Sequence, residues 1–249
     1  MNRRNWLTNT LAGAAGLAAL AGAGAGAQIR TPGQNARQQR RQRALPRYSN
    51  DRFYNADGSF NEAAAKEAYA EMFRLHGYTL ADVVNDERFW VMDFGLGDFA
   101  NVGMGGIFWL NDKEHGYFGH DIYLLPFQMI PEHCHVEAED KPAKHEYWQV
   151  RYGSIFNFGE GGSKDDPLPV ELPKSQLDAN AITAFKCAEL TTVTGPGGEA
   201  GLNRLGAFHF MIAGARGAIV TEYASYHSGD GLKFQNSKAI MGNTPARTN

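Results

Sequence analysis

From residue 90 onward, apolar and aromatic side chains come in short runs separated by Gly, Asn and Asp. The runs cover 90–94, 103–110, 121–127 and 129–135, then a longer stretch at 147–158 that ends in the Gly-rich turn 159–162. Further runs lie at 184–190, 207–213 and 218–224, and the residues 214–217 between the last two read as a tight hairpin turn. Before them the period is helical. Residues 59–75 are rich in Ala, with Ser59 or Asn61 as cap and Ala68, Met72 and Leu75 at helical spacing. A second short helical turn is expected at 80–84, capped by Thr79. Many short strands with Gly-rich turns predict an all-β barrel or sandwich with an N-terminal helical extension.

The first 50 residues follow a different pattern. Arg3 and Arg4 precede a run of Ala, Gly and Leu over 11–27 that ends Ala25-Gly26-Ala27. This is the form of a twin-arginine export signal, cleaved after Ala27, which places the mature protein in the periplasm. The run is too poor in large side chains for a stable membrane anchor. Residues 28–50 read as a flexible Gln/Arg-rich linker, which leaves 51–249 as a single domain. Folded export would let the chain carry out a weakly held metal such as Mn²⁺, which loses to Zn²⁺ or Cu²⁺ in open competition.

Charge sharpens the division. Residues 1–50 hold eight Arg and no acid, so 51–249 carry 16 basic and 27 acidic side chains, a net charge of −11. An acidic body lacks the positive face that phosphate binding needs, which excludes nucleic acid as a partner and leaves a neutral sugar compatible. The two cysteines, Cys134 and Cys187, allow one disulfide and no disulfide scaffold.

The candidate chemistry sits in Pro131-Glu132-His133-Cys134-His135. Residues two apart on a strand share a face, so His133 and His135 can offer two imidazoles to one metal ion while Cys134 points away. Glu146 opens a strand eleven residues later, a gap that permits a return beside the pair. Glu137 is the competing carboxylate. His209, in the apolar run Phe208–Ile212, fits a buried fourth ligand better than His227, which lies in a polar turn. Alternation turns His145 away, and His76, His115 and His120 follow no clear pattern.

These segments resemble the cupin-type D-lyxose isomerases. The resemblance runs through Val91 to Gly97, Pro131 to His135, Lys144-His145-Glu146 and Arg151-Tyr152-Gly153, then His209, Ala213-Gly214 and Gly217 to Glu222. It implies a cupin barrel, that is, a double-stranded β-helix or jelly roll. It also implies a divalent metal, commonly Mn²⁺, with Zn²⁺, Fe²⁺ or Co²⁺ as alternatives, held by His133, His135, Glu146 and His209. The implied reaction is aldose–ketose interconversion of a small sugar. The turn Asn203-Arg204-Leu205-Gly206 and Phe210 depart from the family pattern around the last histidine.

In such a reaction Glu222 is the preferred base, Lys144 the group that stabilises charge or donates a proton, and Asp230 a further acid–base candidate. Arg151 is a candidate for binding sugar hydroxyls. A homodimer is compatible with the family pattern. An Fe²⁺ cupin dioxygenase and a non-catalytic sugar-binding cupin are the rival readings. Neither needs acid–base groups beside the metal.

Overall fold

The computed structural model describes residues 45–192 and 198–242. The proposed export signal at 1–27 and most of the proposed linker lie outside the described residues. Leu45 and Tyr48 already pack on the body, and the Tyr48 hydroxyl donates to Glu71 at 2.6 Å. Helix α1 (Glu62–His76) is capped by Asn61, whose side chain accepts the Ala64 N–H at 3.0 Å. It buries Ala65, Ala68, Tyr69, Met72 and Phe73, one face at three- and four-residue spacing. The next turn is a 3-10 segment, Ala81–Asn85. Leu80 holds its cap position without a side-chain bond, so Thr79 does not cap it.

The strands are β1 (Trp90–Met92), β2 (Met104–Asp112), β3 (Tyr117–Leu124), β4 (His133–His135), β5 (Glu146–Gly159), β6 (Lys186–Thr191), β7 (Glu199–Gly201), β8 (His209–Ser225) and β9 (Leu232–Phe234). A short helix, α2 (Lys174–Asp178), lies between β5 and β6. They form one mostly antiparallel, curled sheet in the order β1-β2-β3-β8-β4-β9, with β5 also on β8 and carrying β6 and β7. The cupin-like all-β architecture is the one expected.

Strand alternation divides two cores. Trp90, Met92, Phe118, Ile122, Trp148 and Val220 face the barrel interior. Val91, Ile107, Tyr123 and Ile219 face outward under α1. The helix therefore covers the outer face of the sheet and leaves the interior to the site.

The expected hairpin does not form. Residues 214–217 are not a hairpin turn, because β8 runs through them for 17 residues. Its first part pairs with the end of β5 (His209 with Gly159) and its last part with the start (Ala224 with Glu146), while β5 shifts register twice between Val150 and Ile155. The glycines serve close approach rather than reversal. A Cβ on Gly153, at φ +75°, would stand 1.9 Å from the Gly217 carbonyl oxygen. Gly153→Ala is expected to cost about 3 kcal/mol from backbone strain and the clash together. That is a fall of roughly 6–12 °C in Tm for a chain of this size. Thermal unfolding of the variant checks it, and a Tm within 2 °C of the parent would contradict this account of the crossing.

The run 129–135 is strand only at His133–His135. Met129 forms isolated bridges with Val102 and Ile212. Just before β4, the buried Glu132 carboxylate accepts the Thr183 and Ala184 N–H groups at 2.8 and 3.0 Å. It ties the approach to the site to the segment that follows α2.

Candidate metal centre and active site

Strand β4 is three residues long, and its two histidines share a face. His133 lies in register with His209 of β8 on one side and Phe234 of β9 on the other. Glu146 opens β5 opposite Ala224. The curl of the sheet brings these four side chains together, with one ligand atom from each lying within 4.8 Å of all the others. His135, Glu146 and His209 are each 5 % exposed or less.

The outer nitrogens are fixed by backbone. His133 Nδ1 donates to the Pro131 carbonyl at 2.8 Å, and His209 Nδ1 donates to the Ala207 carbonyl at 2.9 Å. A carbonyl can only accept, so each neutral ring keeps its Nε2 lone pair for the centre. Trp148 stacks on His209 at 5.6 Å and 14° and holds that ring flat.

Glu146 Oε1 lies 3.0 Å from His135 Nε2, and Oε2 lies 2.8 Å from His209 Nε2. Yet His135 Nε2 and Glu146 Oε2 are buried without a hydrogen bond of acceptable geometry. Orphaned polar atoms in a dry interior are costly, and three imidazoles converging on one carboxylate fit a divalent cation. The donor set, three nitrogens and one oxygen, suits Zn²⁺, Mn²⁺ or Fe²⁺.

The electrostatics agree. Burial, then the neighbouring rings of His209 and His135, hold His133 well below the usual histidine range. Burial also lowers His135. Both are neutral near pH 7 and able to ligate. Burial acts the same way on His209, but the Glu146 charge outweighs it and raises that ring. Burial works against ionisation of Glu146. The Lys144 ammonium, His135 and His209 outweigh it and hold the carboxyl well below the usual range.

Beside this cluster sits a second group. Lys144 Nζ donates to Glu146 Oε1 at 2.8 Å and to Glu222 Oε1 at 2.5 Å, with Lys144 5 % and Glu222 6 % exposed. Burial disfavours the ammonium, but the two carboxylates outweigh it and raise its pKa. The ammonium also lies 4.4 Å from the centre of the Phe118 ring. On the far side of Glu222, His120 Nδ1 stands 3.5 Å from Oε2. A Cβ on Gly106 would stand 2.5 Å from His120 Nε2, so only glycine there admits this ring. The four cluster residues, Lys144, Glu222 and His120 line one cavity walled by Trp90, Phe108, Phe118 and Phe234.

The structure therefore gathers His133, His135, Glu146, His209, Lys144 and Glu222. It places two further candidates elsewhere. Arg151 follows the outward positions 147 and 149 of β5, where it is exposed and donates to Thr221 Oγ1 at 3.1 Å and to the Tyr223 hydroxyl. Asp230 is exposed on the 3-10 segment Gly229–Gly231 and does not line the cavity. Neither side chain lines the cavity that holds the other six. Glu137 is exposed beyond β4, and His227 lines the cavity without joining the ligand cluster. Cys134 and Cys187 are free thiols. His120 is the residue sequence reasoning passed over. Its signal was the alternation Phe118, His120, Ile122, which points all three into the interior. Among the described residues no helix is long and apolar enough to cross a membrane.

No protein-family model matches the chain. Relatives do. A D-lyxose/D-mannose isomerase of Thermosediminibacter oceani is 33 % identical over 144 residues, which is 58 % of this chain and 74 % of the relative. A D-lyxose ketol-isomerase of Cohnella laeviribosi is 32 % identical over 161 residues, 65 % of this chain and 82 % of the relative. Among solved structures, the ligand-free L-ribose isomerase of Cellulomonas parahominis superimposes with a TM-score of 0.51 at 16 % identity, over 77 % of this chain and 96 % of that one. At that identity the likeness shows a shared cupin-like fold.

Proposed function

This chain belongs to the D-lyxose ketol-isomerase family, and from that premise we propose that it interconverts D-lyxose with D-xylulose, or D-mannose with D-fructose. The observation that carries the reading is the Lys144–Glu222 pair lying against the three-histidine, one-carboxylate cluster inside one cavity. A dioxygenase or a binding module has no use for a buried proton-transferring pair there.

His133, His135, Glu146 and His209 would hold the metal. Bound there, a divalent ion supplies Lewis-acid polarisation of the sugar carbonyl and offsets the negative charge that develops across the two reacting carbons. Glu222 takes the proton from C2 and returns it to C1, while the O2 hydroxyl gives up its proton and O1 takes one up as the carbonyl passes from C1 to C2. Lys144, locked between two carboxylates, keeps Glu222 aimed and places positive charge beside the developing oxyanion. The aromatic walls exclude water, which strengthens both effects.

Mn²⁺ is the proposed ion. A neutral-sugar substrate agrees with the acidic surface. Export through Arg3-Arg4 with cleavage after Ala27, and a periplasmic site of action, are proposed from the N-terminal residues. The test is a panel of aldoses given to Mn²⁺-loaded protein in deuterated water. Ketose formation with deuterium entering at the transferred position is expected for D-lyxose or D-mannose. A fully metal-loaded preparation that neither exchanges hydrogen nor forms ketose on any aldose overturns the reading.

A further inference from the structure

His227 is the buried imidazole that neither the metal cluster nor the proton-transferring pair uses. It lines the same cavity and is 9 % exposed. Its backbone is clamped by one side chain. Asn111 of β2, itself 3 % exposed, accepts the His227 N–H at its Oδ1 (3.0 Å) and donates from Nδ2 to the His227 carbonyl (2.9 Å). The flanking residues are tied down as well. The Tyr226 N–H donates to the Gly116 carbonyl at 3.1 Å, and the Ser228 hydroxyl donates to Glu139 at 2.9 Å.

The ring is held as firmly as the backbone. It stacks on Phe118 at 5.4 Å and 29° and meets Phe108 at 5.6 Å. Phe118 contacts the Lys144 ammonium too, and the ligand His135 is 6.1 Å from His227 between ring centres. His227 thus stands one ring away from both the proton-transferring pair and the metal cluster. Its Nδ1 is buried with no hydrogen-bond partner. A fixed ring with an unsatisfied nitrogen, packed between Phe108 and Phe118, has the character of a recognition group.

We propose that His227, positioned by Asn111, reads a hydroxyl of the sugar on the carbons beyond C2. The identity of the ligand rests on the isomerase reading above. The Asn111 clamp and the orphaned Nδ1 stand without it. Sites built to bond a hydroxyl reject the analogue that lacks it far more strongly than apolar walls reject an extra group. His227 would then set which aldose is accepted, while Glu222 and Lys144 set how fast it reacts.

The test compares wild type with His227→Phe, both Mn²⁺-loaded. Calorimetry reads the binding of unreactive pentitols and their 3-, 4- and 5-deoxy analogues, and kcat/KM is measured on the matching aldoses. Manganese content is expected to be equal in the two proteins. Pentitol affinity is expected to fall by about 10-fold or more in the variant, the scale of one buried hydrogen bond. One deoxy analogue should bind wild type more weakly than its parent pentitol and bind the variant equally. Parent and deoxy pentitols keeping the same affinity ratios in both proteins, or loss of manganese from the variant, overturns the proposal. So does a wild type that binds no pentitol. Should His227→Phe not fold, His227→Gln is read by the same criteria. Wild type that binds pentitols but turns over no aldose removes the isomerase reading, and the affinity ratios still judge His227.

Discussion

Glu222→Gln is expected to lower kcat by about 10²–10⁴-fold, the range for loss of a positioned general base, with metal content unchanged. The substitution keeps the shape of the side chain and removes only its capacity to take a proton. Glu222 does not belong to the four-residue metal cluster. Lys144 retains Glu146 as a partner at 2.8 Å, so the ammonium is not left unpaired in a dry site. This makes Glu222 a cleaner probe than Lys144. Removing Lys144 would leave two buried carboxylates without their counter-charge, at a cost of about 3–5 kcal/mol in stability, and activity and folding would fall together. Two readouts check the prediction: solvent-deuterium exchange at C2 on the aldose, and metal analysis of the same preparation. Exchange within about threefold of wild type would remove Glu222 from the reaction. A parallel loss of metal would assign it to holding the ligands instead.

The parts of this site that were legible in the sequence are those where local periodicity decides direction. His133 and His135 face one way because β4 is a strand, and a strand alternates whatever surrounds it. Glu146, Trp148 and Val150 face inward for the same reason, Tyr147 and Arg151 face out, and His145, just before β5, is exposed as well. Applied to Arg151, that rule already argued against a place in the cavity. The parts that were not legible depend on what the sheet does over longer distances. Gly214 and Gly217 have the composition of a turn, but the space they leave is filled from outside their own strand by Ser154, Met72 and the Leu124 carbonyl. Nothing within the run 214–217 announces such neighbours. His120 was missed because its partner lies 102 positions away, on β8, and the pairing of β3 with β8 had to be known first. Asp230 and His227 stand three positions apart in the sequence. The 3-10 segment turns the two residues to opposite environments, one buried and one exposed.

Glu146→Gln is expected to weaken Mn²⁺ binding by more than the roughly 10–100-fold typical of losing a group that only supports a ligand, while Glu137→Gln leaves affinity unchanged. The contrast follows from position. Glu146 is 3 % exposed and touches His135, His209 and Lys144, whereas Glu137 is an exposed side chain past the end of β4. A neutral amide at 146 removes the one negative charge among the four cluster residues, and the charge that raises the pKa of His209 goes with it. A consequence for stability accompanies the loss. An ion that binds only the folded chain stabilises it by about 2.7 kcal/mol when free metal is at 100 times its Kd. Wild type and Glu137→Gln should therefore show a Tm that rises with added Mn²⁺ and falls back under a chelator. Glu146→Gln should show a Tm that responds to neither. Titration calorimetry and thermal unfolding across a Mn²⁺ series measure both quantities on the same samples. Equal metal affinity in the two variants would overturn the ligand assignment, and with it the account of why three imidazoles and one carboxylate converge inside the curled sheet.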